Sequence, residues 1–231
     1  MKIIIKIFFF LMVFTVNITS QSLSGLSGLL NIPTAEITSD GRINIGANYL
    51  ERNHLKYAGG KKDVIAPFVT IGFLPFLEVS IRITRQLNYS GESHVMDRMF
   101  SCKIKFINED NFLPVVALGL HNPYSTDPRA KHFTATYFVL SKNIEINSFI
   151  NKFHVTLGYG SEIIEAEDYQ YVGLFGGVSL TIFKSIEIMG EYDAERFNAG
   201  FRFTLFNHIK LLGGVMDFKH FSGGAAVSFV L

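Results

Sequence analysis

The last eleven residues of the chain, 221–231 (FSGGAAVSFVL), constrain its fold more than any other stretch. After two glycines, Val227, Phe229 and Leu231 alternate with residues that point the opposite way, which is the period-two pattern of a β-strand with one apolar face. A strand at the edge of a sheet exposes unpaired backbone groups, and a sheet that closes into a barrel has no such edge. The pattern therefore predicts a closing strand that turns Val227, Phe229 and Leu231 towards lipid and pairs with a first strand at residues 42–50.

The same alternation continues through residues 41–231 and predicts about twelve strands, most of them roughly nine to eleven residues long, as a tilted strand needs to cross a bilayer. Short connections, such as residues 207–208, mostly alternate with longer polar ones, such as residues 85–97. An even strand number with short turns at one end and longer loops at the other is typical of bacterial outer-membrane barrels. The sequence thus predicts an all-β fold, a transmembrane antiparallel up-and-down β-barrel over residues 41–231.

The strands of a soluble β-sandwich or lipocalin-like barrel would show the same alternation. The N-terminal residues help to distinguish these folds from a membrane barrel. Lys2 and Lys6 begin an apolar run at residues 7–16, and polar residues then lead to Ser20, which is the pattern of a secretory signal peptide over residues 1–20. The apolar run is too short to span a bilayer comfortably, which favours cleavage over an uncleaved anchor. We therefore expect the mature chain in the bacterial outer membrane, inserted by the barrel-assembly machinery.

Three stretches depart from the regular pattern. Residues 21–40 are rich in Gly, Ser and Pro, and we expect a short pre-barrel segment, either at the periplasmic mouth or folded into the lumen as a plug. Pro67 cannot donate a hydrogen bond to a neighbouring strand and predicts a bulge. Residues 142–151 are predicted to be an unusually long connection at the end of the barrel where the short turns lie.

Part of the pre-barrel segment carries a recognisable motif. The motif GLLNIPTAE consists of Gly28, Leu29, Leu30, Asn31, Ile32, Pro33, Thr34, Ala35 and Glu36. Together with GFLPFLEVSIRITR at residues 72–85, it resembles the YjbH family of outer-membrane proteins, of which this chain would be a single-barrel member. The resemblance implies a role in export or surface assembly of exopolysaccharide or capsule, with polysaccharide and periplasmic or lipoprotein partners.

The inward face of the predicted strands carries many charges. The predicted lumen-lining residues are Arg42, Glu78, Arg82, Lys103, Lys105, His154, Glu187, Glu191, Arg202 and Lys210. Opposite charges on neighbouring strands, such as Glu78 with Lys103 or Lys105, would brace a narrow lumen. Unpaired cations would instead line a conduit and attract anionic sugars. Bracing is favoured, because both signs occur at similar depth.

A barrel hydrolase of the lipase or protease type, and a small general porin, are the alternative functions. His154 could serve as a base for Ser179 or Ser228, and Asp217 could act with His220. The sequence contains no HExxH or GxSxG motif, so we expect no catalytic residues, metal or cofactor. With 21 basic and 20 acidic residues, the chain offers no electrostatic basis for binding nucleic acid.

Overall fold

The computed structural model describes residues 20–52, 62–87, 96–124, 133–146 and 149–231, so the signal peptide predicted at residues 1–20 lies outside the described residues except for Ser20. Twelve strands run through this part of the chain: β1 (Arg42–Leu50), β2 (Val64–Leu74), β3 (Leu77–Gln86), β4 (Met96–Ile107), β5 (Val115–His121), β6 (Ala135–Glu145), β7 (Ile150–Ser161), β8 (Gly173–Ile182), β9 (Ile186–Tyr192), β10 (Phe197–Leu205), β11 (Ile209–Met216) and β12 (His220–Val230). Each strand pairs with the next, and β12 pairs with β1, so the predicted twelve-stranded closed barrel is confirmed. No helix of the described residues is long and apolar enough to cross a membrane.

The side chains are distributed in the opposite way to those of a soluble protein. In the middle of β3, Ile81 is 54% exposed, whereas its neighbours Ser80 and Arg82 are 2% and 3% exposed. This arrangement follows from the alternation, because successive side chains of a strand point to opposite faces of the sheet. An apolar outside around a polar inside is the arrangement of a transmembrane barrel.

The closing strand seals the barrel through a continuous register with β1. The pairing runs from Arg42 opposite Val230 to Tyr49 opposite Gly223. Phe229 is 51% exposed on the outer face, and the backbone N–H of Leu231 donates to the carbonyl of Gly41 over 2.9 Å. Both edges of the sheet are therefore paired, as the terminal alternation predicts.

The two ends of the barrel differ. We name the ends after the orientation that the sequence predicts: the periplasmic end is the one at which β1 begins and β12 ends, and the outer end is the opposite one. The periplasmic end has the connections 75–76, 108–114, 146–149, 183–185 and 206–208. The connection between β6 and β7 is therefore shorter than the predicted residues 142–151, because β6 continues to Glu145 and β7 already begins at Ile150.

The bulge expected at Pro67 is also absent from the described strands. The register of β2 with β1 continues through Pro67, which faces outward. The shift in the β2–β3 register lies instead between Gly72 and Leu74. A Cβ atom at Gly72 would lie 2.1 Å from the carbonyl oxygen of Ser39, so only glycine fits where the chain that enters β1 passes this strand.

The membrane-facing assignment predicts unequal costs for two charge insertions. Ile81→Arg should destabilise the folded barrel by about 2–4 kcal/mol, because Ile81 faces outward in the middle of β3, whereas Phe112→Arg in an exposed turn should cost at most about 1 kcal/mol. Urea titration of the barrel in lipid vesicles measures both. Equal costs for the two variants would argue against a lipid-facing β3.

Candidate functional site

Residues 20–40, which we call the luminal segment, lie inside the barrel. Ser20 contacts Glu187 near the periplasmic end, and at its other end the segment joins β1. Isolated bridges pair Gln21 with Ser27 and Gly28 with Pro33, and the N–H of Leu29 donates to the carbonyl of Ile32 over 3.0 Å. The segment therefore enters and leaves at the same end of the barrel, and its second turn, at residues 29–32, forms a tip that reaches towards the outer end.

The apolar side chains of the segment fit against glycines of the barrel wall. Leu23, Leu29, Leu30 and Ile32 are all buried. A Cβ atom at Gly214 would lie 2.4 Å from the Cδ2 atom of Leu30. The inward-facing glycine thus leaves the space that the leucine fills. Because the interior is close-packed there, a larger residue at this position would displace the segment.

Two buried carboxylates accept hydrogen bonds from the backbone of the segment. Glu78 accepts from the N–H groups of Ser27 and Thr38 over 2.7 and 2.5 Å, and also from the Ser27 hydroxyl. Glu191 accepts from the N–H groups at the tip, namely Leu30 over 3.0 Å, Asn31 over 2.8 Å and Ile32 over 3.3 Å. These donors have no regular secondary structure to satisfy them, so the carboxylates supply their partners.

Three buried cations bind the carbonyl groups of the same segment. Lys103 Nζ donates to the carbonyls of Ser27 over 2.7 Å and Thr34 over 2.9 Å. Arg202 donates to the carbonyls of Gln21 over 3.0 Å, Gly28 over 3.0 Å and Leu29 over 2.7 Å. Arg82 donates to the carbonyl of Leu23 over 3.4 Å. The lumen thus holds the segment through charges of both signs.

The same charges also pair across neighbouring strands. Lys103 Nζ lies 3.7 Å from Glu78 Oε1, and the two residues are directly opposite each other in the β3–β4 register. Arg202 forms an ion pair with Glu187, its register partner on β9. The same side chains therefore brace the barrel and bind the luminal segment.

The remaining predicted lumen-lining residues differ in whether they contact the luminal segment. Lys210 is buried and its Nζ donates to the Gln21 side chain over 2.6 Å. Arg42 is also buried, and its Nε has no hydrogen-bond partner among the described residues. Lys105 is half-buried beside the β2–β3 turn, where its backbone N–H donates to the carbonyl of Phe76 over 2.8 Å.

Glu36, in the returning part of the luminal segment, is bound to the barrel wall by an ionic contact. Its Oε1 lies 3.2 Å from His154 Nδ1, 3.8 Å from Lys152 Nζ and 3.0 Å from the donating Asn143 Nδ2. Burial by itself would raise the pKa of Glu36, but the charges of His154 and Lys152 and the hydrogen bonds from His154 and Asn143 outweigh it and hold that pKa well below its usual range. The carboxylate therefore stays ionised and fixes this part of the segment near the periplasmic end.

The candidate catalytic groups are engaged in other contacts. His154 shares its Nδ1 between Asn143, at 2.7 Å, and Glu36. Ser179, which lies opposite His154 in the β7–β8 register, donates instead to Glu187 over 2.6 Å. Ser228 donates to Asn44 over 2.5 Å. Each serine proton is thus directed away from the histidine, and this geometry does not activate a nucleophile.

In the second candidate pair, Asp217 and His220, each residue also contacts a different partner. Asp217 accepts a hydrogen bond from Lys219 Nζ over 2.8 Å, and His220 Nδ1 lies 3.4 Å from Glu51. Within the described residues, no group of three or more His, Cys, Asp or Glu side chains could hold a metal ion.

A cavity of about 250 Å³, which we call the outer cavity, lies above the tip of the luminal segment. Its charged lining consists of Glu162, Glu167, Asp168, Asp193, Glu195 and Arg196. Asn31 at the tip also lines it, and Tyr171 donates a hydrogen bond to the carbonyl of Asn31 over 2.8 Å. The sequence indicates an acidic loop at residues 161–170 but gives no signal that this loop meets residues 193–196 over the lumen.

Comparisons with known proteins give three findings. A family model described as "Exopolysaccharide biosynthesis protein YbjH" (YjbH) matches residues 20–171. A protein of Escherichia coli (strain K12), named "Uncharacterized lipoprotein YjbH", is 29% identical over 167 residues, which is 69% of this chain but only 20% of that relative. Among solved structures, the KdgM porin aligns with a TM-score of 0.47 and 11% identity, over 82% of this chain and 99% of that one.

The contacts of Glu191 predict how firmly the tip is held. Glu191→Ala would leave three backbone donors without their acceptor, at about 1–3 kcal/mol for each donor that stays buried. Hydrogen-exchange protection of the Leu30, Asn31 and Ile32 amides should fall by at least about tenfold. Glu145→Ala, at an exposed position of β6, is the matched control and should leave it unchanged. Undiminished protection in the Glu191 variant would mean that the carboxylate does not hold the tip.

The low pKa of Glu36 predicts a pH dependence of the luminal segment. Because this pKa is depressed below its usual 4.5 in the folded barrel, the stabilisation is present above that pH and is lost as the pH falls below it. Protection of the Ala35 amide should therefore be higher at about pH 5 than at about pH 3. In Glu36→Gln the protection should be lower and the part of the decline due to this carboxyl absent. Identical pH profiles for the two proteins would exclude a role for the ionic contact.

Proposed function

Since the chain belongs to the YjbH family of exopolysaccharide biosynthesis proteins, we propose that this outer-membrane barrel serves export or surface assembly of an exopolysaccharide without catalysing a reaction itself. The chain spans about a fifth of the length of the curated relative that it matches. The barrel would therefore act together with periplasmic or lipoprotein partners that supply the other parts of the process.

The observation that carries this proposal is the occupied lumen. The luminal segment is bound by Glu78, Lys103, Glu191 and Arg202 and is almost completely buried. A general porin needs a water-filled passage, and this structure supports a closed barrel instead. We expect a barrel that acts only during export to be closed at rest, because an open pore would let small solutes cross the outer membrane.

The path of the luminal segment also supports a role as a gate, which closes the lumen at rest and withdraws during export. Both of its ends lie at the periplasmic end, so the segment can withdraw in that direction without threading a free end through the barrel. The bonds that hold it are hydrogen bonds and ion pairs to side chains, and the strand ladders remain intact when they break. A periplasmic partner that binds the withdrawn segment would shift the equilibrium towards the open barrel.

Deleting residues 22–36 should therefore open a passage. We expect the deletion variant to conduct ions in planar bilayers and the full chain to stay closed, because the deleted residues include the buried leucines and the tip. Glu78→Ala combined with Glu191→Ala should give brief openings, since this variant weakens the bonds of the segment without shortening it. Equal conductance of the full chain and the deletion variant would contradict a gating role.

Removal of the gene from a bacterium that carries it tests the export role. Surface polysaccharide should be lost, while the outer membrane keeps its resistance to small antibiotics. Complementation with the full chain should restore the polysaccharide. Unchanged surface polysaccharide would overturn the proposed function, and a general change in permeability would favour the porin.

A further inference from the structure

We propose that Arg85 and Arg98 form a lipid site on the outside of the barrel, near its outer end, and that this site binds a terminal phosphate group of a glycolipid in the outer leaflet. The site lies on the membrane-facing surface and is separate from the luminal segment and the residues that hold it. Its features are the depth of the two arginines, their closeness to each other and their lack of acidic partners.

Both arginines lie at the border of the apolar outer face. On β3 the outward-facing Ile81 and Ile83 are followed by Arg85, which is exposed. On β4 the exposed Arg98 comes directly before the outward-facing Phe100. Arg85 is four residues beyond Ile81, which corresponds to about 13 Å along the strand and about 10 Å along the axis of a barrel whose strands are tilted by about 40°. Half the height of a typical apolar band is about 12 Å, so the long arginine side chains reach the level of the lipid headgroups.

The two arginines are also close enough to bind one ligand. Ile83, two residues before Arg85, lies directly opposite Arg98 in the β3–β4 register. Arg85 and Arg98 are therefore diagonal neighbours on one face of adjacent strands. Residues in this relation lie about 7–8 Å apart, which is within reach of long side chains. Both guanidinium groups can thus contact the same headgroup.

Neither of these arginines forms an ion pair with another described residue. The other arginines in the described part of the chain are buried in the lumen or paired with a carboxylate: Arg42, Arg52, Arg82, Arg196 and Arg202. No carboxylate of β3 or β4 faces outward, since Glu78 and Asp97 are both buried. Two cations at the membrane border without a neighbouring carboxylate on their own strands favour an anionic lipid.

The chemistry of the guanidinium group selects a phosphate among anionic headgroups. Its planar set of N–H donors matches phosphate oxygens and can form two parallel hydrogen bonds with them. A terminal phosphate carries a charge of about −1.5 to −2 at pH 7 and three acceptor oxygens. A phosphodiester, as in phosphatidylglycerol, carries a single charge and fewer free oxygens. Two neighbouring arginines therefore fit the terminal phosphate of an outer-leaflet glycolipid better than the diester of a phospholipid.

Native mass spectrometry of the full chain in a nonionic detergent measures this selectivity. The chain is titrated separately with diphosphoryl lipid A, which carries terminal phosphates, with phosphatidylglycerol and with phosphatidylcholine. We expect the first molecule of lipid A to bind at least about tenfold more tightly than phosphatidylglycerol, and phosphatidylcholine to bind more weakly than either.

Arg85→Gln/Arg98→Gln removes both outward cations without altering the lumen and should weaken lipid A binding by at least about tenfold. Arg52→Gln/Lys219→Gln is the matched control, because it removes two exposed cations at the same end that already have carboxylate partners. The control should change lipid A binding by less than about twofold. Arg85→Lys/Arg98→Lys keeps the charge but loses the planar donors, so we expect an intermediate affinity.

Urea titration in phosphatidylcholine vesicles checks that each variant is folded. Equal weakening by the two glutamine variants would overturn the inference, as would equal affinity of the unaltered chain for lipid A and phosphatidylglycerol. A lysine variant that binds lipid A as tightly as the unaltered chain would contradict recognition through the planar guanidinium groups. The comparison of lipids on the unaltered chain decides the matter even where a variant does not fold.

Discussion

The structure depends on one requirement, that an irregular backbone buried in a barrel must find partners for its N–H and C=O groups. The luminal segment has no helix, and the backbone hydrogen bonds within it, such as the one from the Leu29 N–H to the Ile32 carbonyl, leave other N–H and C=O groups to be satisfied. Leaving each buried group unpaired would cost on the order of 1–3 kcal/mol. Side chains on the inward face of the barrel supply the missing partners: carboxylates accept hydrogen bonds from the N–H groups, and cations donate to the carbonyl groups. Charges that first look like the lining of a water-filled pore are therefore partners of the protein's own backbone.

This requirement also explains why the charges occur as pairs on adjacent strands. A buried ion is costly unless it is both paired and hydrogen-bonded. Glu78 and Lys103 neutralise each other, and each uses its remaining capacity on the segment. Arg202 does the same with Glu187 and three carbonyls. Bracing and conduit lining are thus not separate alternatives, because the braces are the residues that hold the segment.

The sequence predicts the strands and the inward positions of the charged residues, but not the path of the luminal segment, for one physical reason. A bilayer outside and a polar lumen inside impose a period of two, so strands such as β3 and the outward position of Phe229 can be predicted from alternation. The register shift between Gly72 and Leu74 lies where the chain before β1 packs against β2, and the alternation carries no signal for that contact. The path of residues 20–40 has no period at all. Its motif is recognised only by resemblance, and the carboxylate that binds its tip lies 160 residues away from Asn31.

The balance of charged side chains in the lumen differs between the periplasmic end and the outer end. Near the periplasmic end the cations Arg42, Lys103, Arg202 and Lys210 outnumber the carboxylates Glu36, Glu78 and Glu187. Towards the outer end, Glu191 and Asp193 lie under the acidic outer cavity. With the segment withdrawn, Glu78–Lys103 and Arg202–Glu187 would still neutralise each other, whereas Glu191 would lose its backbone donors and would keep Asn198 as a partner. Withdrawal would therefore remove donors mainly from the carboxylates at the tip, because Asp193 would also lose the side chain of Asn31.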